Sequence, residues 1–190
     1  MSIRASSGDP MTELNFRHAT AQDIPAVVDL VQSAYRGDRS RSGWTTEADL
    51  IEGQRIDAPM LLDVLERPRT IVLLAETDQL TGCCELSAEH GSDIAYFGMF
   101  AVRPELQGTG LGDRILRKAE QTAIDLWGAS AMRLVTIHLR NDVIAWYARR
   151  GFTPTGATHR FPYGDERYGR PNRDDLTFAE FEKVLDGGTC

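Results

Sequence analysis

Between Tyr96 and Glu120 the chain changes its periodicity twice. Tyr96 to Val102 is an apolar run that reads as the end of a strand. Arg103-Pro104-Glu105 interrupts it, because proline cannot donate to a strand ladder. Gln107-Gly108-Thr109-Gly110-Leu111-Gly112 follows. An amphipathic helix then begins, with Leu111, Ile115, Leu116, Ala119, Ala123 and Leu126 on its apolar face. Strand, glycine-rich turn and helix in this order suit the close approach of a bulky anion. Glycines let backbone N–H groups reach it, and the helix N-terminus adds partial positive charge. The stretch reads as a phosphate cradle at the mouth of a helix.

The kind of cradle narrows by comparison with known loops. A Walker A loop ends in Gly-Lys-Ser/Thr, whereas this turn ends in Gly110-Leu111-Gly112-Asp113. A dinucleotide fingerprint needs G-x-G-x-x-G, and from Gly108 the glycines fall one residue off that spacing. Downstream, residues 141–152 read NDVIAWYARRGF. With Val102-Arg-Pro-Glu105 ahead of it, the turn resembles the Gln/Arg-x-x-Gly-x-Gly/Ala signature of the GNAT N-acetyltransferase superfamily, carried by Gln107, Gly110 and Gly112. Asn141, Tyr147, Gly151 and Phe152 resemble that family's second constellation, an Asn near a helix start and a Tyr followed by x-x-x-Gly-Phe.

The resemblance implies acetyl-CoA as cosubstrate and no metal. The loop from Gln107 through Gly108, Thr109, Gly110, Leu111 and Gly112 would hold the pyrophosphate through its amides. Phe100, Ala101 and Val102, in the strand segment that also takes in Met99, would offer backbone groups to the pantetheine, and Asn141 would cap its helix and bond the same arm. Tyr147 would stand near the thioester sulfur. It lies six residues beyond Asn141 and points about 120° away from it around a straight helix.

Acetyl transfer to an amine makes three demands. The amine must lose a proton, and a lysine-like amine has a pKa of about 10.4. The carbonyl oxygen needs an N–H donor as charge develops. The leaving thiolate needs an acid, which a phenol of pKa about 10 can be. Tyr147 is the expected acid; the plainer alternative makes it a half-buried packing residue. For the base, Glu85 sits mid-strand in Gly82-Cys83-Cys84-Glu85-Leu86. If buried there its pKa would rise. The alternative puts Glu85 on a solvent-facing side with Thr81 and Ser87. Glu47, Glu89, His90, Asp93 and His138 are further candidates.

The acceptor side is expected in the loop Ser40 to Arg55. Arg39, Arg41 and Arg55 can clamp a carboxylate or phosphate, Trp44 offers an apolar or cation–π wall, and Glu47 can pair with an ammonium. Together they suggest a small polar amine carrying an acid, such as an amino acid. A second loop, Phe161 to Leu176, carries Tyr163, Arg167 and Arg173 and is expected to close over the same site.

Length and charge agree with this reading. The chain has 190 residues and a net charge of −7, enough for one domain with a sizeable core and a poor balance for nucleic acid or a membrane surface. Three cysteines form no C-x-x-C pair or even framework, so neither zinc nor a disulfide scaffold is suggested and a reducing cytoplasm fits. No apolar run reaches the ~20 residues that span a bilayer. Residues 1–11 are expected to be a disordered lead, 12–186 one domain and 187–190 a tail. The expected fold is α/β, a mixed α+β arrangement with a central, mostly antiparallel sheet flanked by helices and one β–α–β crossover around the cradle helix. Thr20-x-x-Asp23 and Thr46-x-x-Asp49 read as capping boxes opening helices. The expected activity is N-acetylation of a small-molecule primary amine. A non-catalytic acyl-CoA-binding module and a protein N-acetyltransferase are its rivals, and a homodimer is left open.

Overall fold

The computed structural model describes residues 13–186; the expected lead and tail lie outside the described residues. Strand β1 (Asn15–His18) leads through a 3₁₀ turn into helix α1 (Ile24–Tyr35). The Thr20 box forms as expected, with the Asp23 carboxylate accepting the Thr20 N–H at 2.8 Å. A one-turn helix α2 (Gly37–Ser40) and a short strand β2 (Ile51–Glu52) follow, then helix α3 (Ala58–Glu66). Asp57 caps α3 by accepting the Met60 N–H at 2.8 Å. Strands β3 (Thr70–Glu76), β4 (Leu80–Ala88) and β5 (Ile94–Val102) form a meander. Helix α4 (Leu111–Trp127) crosses to β6 (Ala131–Ile137), and helix α5 (Asn141–Ala148) leads to β7 (Thr153–Arg160). The two-residue strand β8 (Arg170–Pro171) precedes β9 (Thr177–Val184).

Seven strands form one sheet in the order β1-β3-β4-β5-β6-β9-β7. All its ladders are antiparallel except β5 with β6. That parallel pair is the expected crossover, with α4 as its connection. Two cores flank the sheet. Val27, Leu30 and Val31 of α1 pack with Leu61 and Val64 of α3 over Val72, Leu74 and Cys83. Ile115, Leu116, Ala119 and Ala123 of α4 pack with Tyr147 over Leu73, Cys84 and Phe97. The alternation of a strand explains the division: Cys83 and Cys84 are neighbours in sequence and belong to opposite cores.

Two irregularities open the sheet where the site lies. β5 and β6 pair only through Ile94–Tyr96 and Ala131–Arg133; beyond that the strands part. Opposite, the β4–β5 register shifts between Cys83 and Glu85. Cys83 faces Ala101 and Glu85 faces Gly98, so the extra residue belongs to β5. Met99 takes the strain there, with φ +44°. Such a bulge bends the strand and re-aims its side chains.

One expected helix does not form. Thr46 spends its hydroxyl on Ser40 Oγ at 2.6 Å and on the Ala48 N–H at 3.2 Å, and Asp49 pairs with Arg41 at 2.8 Å. Ile51 and Glu52 instead pair antiparallel with Pro171 and Arg170. Ile51 is thereby buried, and Gly53 turns the chain at φ +85°. A strand ladder and a buried isoleucine outweigh a short helix running through Ile56, which would carry Gly53 in its interior. This small sheet ties the acceptor-side loop to the late loop.

Candidate active site

The parted strands leave a cleft of about 990 Å3. At one end lies the glycine turn. Gly108 and Gly110 hold φ of +82° and +86°, a conformation that suits glycine, and a Cβ at either would meet nothing within 4 Å. Among the described residues, no backbone carbonyl takes the N–H groups of Gly108, Thr109, Gly110, Leu111, Gly112 or Asp113. These orphan donors stand at the start of a 17-residue helix, a ready anion site. Asp113, in the first turn, is neutralised by Arg150 at 3.0 Å and Arg117 at 2.5 Å. The residues present therefore fit a pyrophosphate. Gly112 has another use: its Cβ would lie 3.3 Å from Phe100 and 3.4 Å from Trp146, so glycine allows those rings to close over the helix start. Phe100, Val102, Gln107, Gly108, Gly110 and Gly112 line the cleft. The side chains of Ala101 and Leu111 are buried in the cores and Thr109 is exposed, its hydroxyl on Leu106 O at 2.8 Å.

Gln107 departs from the role expected of it. Its Oε1 accepts the N–H of Trp44 at 2.8 Å and of Thr45 at 3.3 Å. Its Nε2 donates to Thr45 Oγ1 at 2.8 Å and Val102 O at 3.0 Å. The side chain is spent tying the acceptor-side loop to the cradle, and the backbone N–H donates to Pro104 O at 3.2 Å, so Gln107 adds no orphan amide to the turn. Asn141 also departs. It is exposed, it does not line the cleft, and α5 has no side-chain cap. Arg140 takes the place at the strand end instead.

Tyr147 lines the cleft and is 7% exposed. Gly151, at φ +90°, turns the chain so that the Phe152 N–H returns to Tyr147 O at 3.2 Å. The Phe152 ring then meets the tyrosine edge-on at 5.5 Å, with Phe97 at 6.4 Å on another side. The Tyr-x-x-x-Gly-Phe spacing is thus a clamp on the phenol ring. Its hydroxyl makes no hydrogen bond among the described residues, and burial pushes its pKa well above the ordinary value.

Glu85 is not solvent-facing. It is 9% exposed, lines the cleft, and shares its side of β4 with the fully buried Thr81. Burial raises its pKa, and Arg67 and Arg55 pull it back; Arg67 Nη1 is 3.4 Å from its carboxylate. Tyr96 covers the facing Gly98, where a Cβ would come within 2.6 Å of its ring. Glu85 and Tyr147 therefore share one cleft, reached from β4 and from α5.

Of the acceptor-loop residues, Trp44, Glu47 and Arg55 line the cleft. Arg39 does not: it is turned outward to Asp29, 2.9 Å away, with its side chain 63% exposed. Glu47 is already paired with the buried Arg36, so it is no free partner for an ammonium. From the late loop Pro162, Arg167 and Tyr168 reach the cleft. Tyr163 accepts the Leu176 N–H at 2.6 Å and Arg173 pairs with Asp175 at 2.7 Å, both outside it.

Four contributors were not anticipated. Arg140 is buried, with Nη1 on Thr45 O at 2.9 Å and Nη2 on Trp44 O at 3.0 Å. It grips the same two residues as Gln107, from the other side. Trp146 forms a wall with Phe100 at 5.8 Å and Trp44 at 6.4 Å, and the Arg150 guanidinium lies 3.6 Å over it. Tyr35 donates its hydroxyl to Phe100 O in the parted strand. Arg67 faces Glu85 from the end of α3. Nothing local marks Arg67, but Arg140 sits at a strand end before a helix, a position from which a side chain can reach across.

The profile of the Acetyltransferase (GNAT) family matches residues 24–152. No curated protein matches the sequence. Among solved structures the fold is similar to the ribosomal-protein-S18-alanine N-acetyltransferase from Escherichia coli, at 16% identity and a TM-score of 0.66, over 93% of this chain and 97% of that one. It is similar to the IAA acetyltransferase from Bacillus cereus ATCC 14579, at 17% identity and a TM-score of 0.63, over 91% and 100%. A protein assigned as a streptothricin acetyltransferase from Bacillus anthracis str. Ames, solved in complex with acetyl coenzyme A, is similar at 19% identity and a TM-score of 0.53, over 66% and 68%.

Proposed function

This chain belongs to the GNAT acetyltransferase family, and we propose that it moves acetyl from acetyl-CoA to the primary amine of a small polar acceptor by direct attack. The observation that carries the reading is the shared cleft: orphan amides of the glycine turn at one end, a buried carboxyl and a buried phenol along it. The turn would hold the pyrophosphate, and the unpaired edge of β5 past Tyr96 would run beside the pantetheine.

In this reading Glu85, directly or through water, takes a proton from the acceptor ammonium. The amine nitrogen forms a bond to the thioester carbon, the carbon–sulfur bond breaks, Tyr147 gives its proton to the departing sulfur, and the phenolate takes back the proton that the new amide nitrogen sheds. Burial keeps Tyr147 protonated and makes the Glu85 carboxyl more basic than an exposed one. Cys83 and Cys84 are fully buried in the cores and do not line the cleft, which supports direct attack over a covalent acyl-enzyme. A small acceptor is favoured because the β2–β8 pair holds the two loops together beside the cleft, where a peptide would need an open groove.

The test is release of free thiol from acetyl-CoA against amino acids, polyamines, aminoglycosides and a peptide with a free N-terminus. Turnover on a small amine is the expected result. Binding of acetyl-CoA without turnover on any amine would make the protein a non-catalytic binder. Peptide turnover alone would move the acceptor to protein, and no binding at all would refute the reading.

A further inference from the structure

We infer that the acceptor carries a carboxylate beside its amine, and that Arg55 binds it with Arg67 while Glu85 receives the amine's proton. The inference rests on the acetyltransferase reading above and deepens it.

Most charges lining the cleft are already spent. Arg140 pairs with Asp142 at 2.9 Å, Arg150 with Asp113, Arg167 with Asp165 at 2.6 Å, and Glu47 with Arg36. Arg55 differs. It is half-buried, lines the cleft and makes no ion pair among the described residues; Arg149 is likewise unpaired there but stands exposed. Its guanidinium lies over the Tyr35 ring, 5.6 Å from the centroid. Its backbone is fixed by the Arg55 N–H bond to Gln32 Oε1. A planar guanidinium held on an aromatic face keeps its donors free for a carboxylate. Arg67, the other cation at this end, touches Glu85 only at 3.4 Å and keeps a side chain 56% exposed. Asp63 also lines this end but stands exposed, in no ion pair with either arginine.

Glu85 therefore has the Arg67 guanidinium 3.4 Å away and feels the Arg55 charge, and it is the one buried carboxylate at this end, Asp63 being exposed. A second carboxylate, brought by the acceptor, completes the charge balance. An ammonium on the same molecule then finds Glu85 as its counter-charge. A polyamine or an aminoglycoside would instead place several cations against Arg55 and Arg67. The same cluster that attracts an amino acid thus rejects a polycation.

The experiment compares thiol release for matched pairs: L-phenylalanine against phenethylamine, L-glutamate against 4-aminobutyrate, and L-lysine against cadaverine. For at least one pair the amino acid is expected to have a kcat/KM about tenfold or more above its decarboxylated partner, the worth of a charge-assisted contact. Arg55→Gln is expected to bring that ratio toward one, and Arg55→Lys to restore part of it. The rise in melting temperature on adding acetyl-CoA checks that each variant is folded. Equal turnover within every pair, or an unchanged ratio in Arg55→Gln, overturns the carboxylate clamp and leaves the transferase reading standing. Acetyl-CoA binding with no turnover on any amine overturns both.

Discussion

Gln107 offers the sharpest test of how the cleft is built. The family signature makes it a cosubstrate residue, yet its side chain spans from the cradle to the loop at Trp44 and Thr45. Gln107→Ala removes four hydrogen bonds, at 2.8, 3.3, 2.8 and 3.0 Å. Each is worth about 1 kcal/mol net, less where water can replace the lost partner. Trp44 is 38% exposed, so its N–H can rehydrate, and the total comes to roughly 3 kcal/mol. For a domain of this size that is a fall in melting temperature of roughly 6–12 °C. Gln107→Glu keeps the oxygen that serves the two N–H groups and loses the donor to Thr45 Oγ1 and Val102 O, so about half the fall is expected. Gly43→Ala should imitate the alanine variant, because its Cβ would come 2.5 Å from Gln107 Oε1. The assay is a thermal melt paired with KM values for acceptor and acetyl-CoA. The acceptor KM should rise, since Trp44 and Thr45 line that part of the cleft. A Gln107→Ala protein that melts within about 2 °C of the parent and loses only acetyl-CoA affinity would refute the tie and return Gln107 to the ligand.

Tyr147→Phe should lower kcat by about a hundredfold, the usual worth of a positioned acid, with acetyl-CoA affinity retained; turnover near the parent's would leave the phenol a packing residue. Glu85 should give kcat/KM an acid limb whose midpoint lies above the ordinary glutamate range, because burial raises its pKa; Glu85→Gln should abolish that limb. The same shift acts on stability. The folded protein holds this proton to higher pH than the unfolded chain, so Glu85's contribution is fully present below the unfolded pKa and is lost as pH rises through the folded one. Urea melts across that window should show the parent weakening relative to Glu85→Gln. Gly110→Ala puts a side chain at φ +86° where no atom is within 4 Å, so the fold should survive at a cost of about 1–2 kcal/mol while calorimetry finds acetyl-CoA binding much weakened.

The strands were the most legible part of the sequence. The strand end at Val102 is legible, because Tyr96 to Val102 is an apolar run closed by Arg103-Pro104. The cradle was legible for the same reason: glycines at positive φ and a helix start are local properties. What local pattern cannot show is which side of a strand becomes a cleft. Glu85 alternates with Thr81 and Ser87, which suggested solvent, but the parting of β5 from β6 and the packing of α3 put that side indoors. Thr46-x-x-Asp49 has the residues of a capping box and lost to a strand partner well over a hundred residues away in sequence, Arg170–Pro171. Asn141 and Arg39 failed alike. Their residue types suited the chemistry, and only the turn of α5 and the outward pairing with Asp29 removed them from the site. Arg140 and Arg67 enter the cleft through distant contacts that no spacing records.

The two cysteines at the centre of β4 have a use beyond packing. Each points into a different core, and burial pushes the Cys83 thiol up to about 12 and Cys84 well above its ordinary value. Neither can react with a thiol reagent until its own layer opens. The rate at which Cys83 is alkylated therefore times the loosening of α1 and α3, on the proposed acceptor side, and the rate at Cys84 times the loosening of α4, behind the glycine turn. Adjacent positions in the chain thus supply separate clocks for the two layers of the protein. A cosubstrate that braces only the cradle side should slow one and leave the other running.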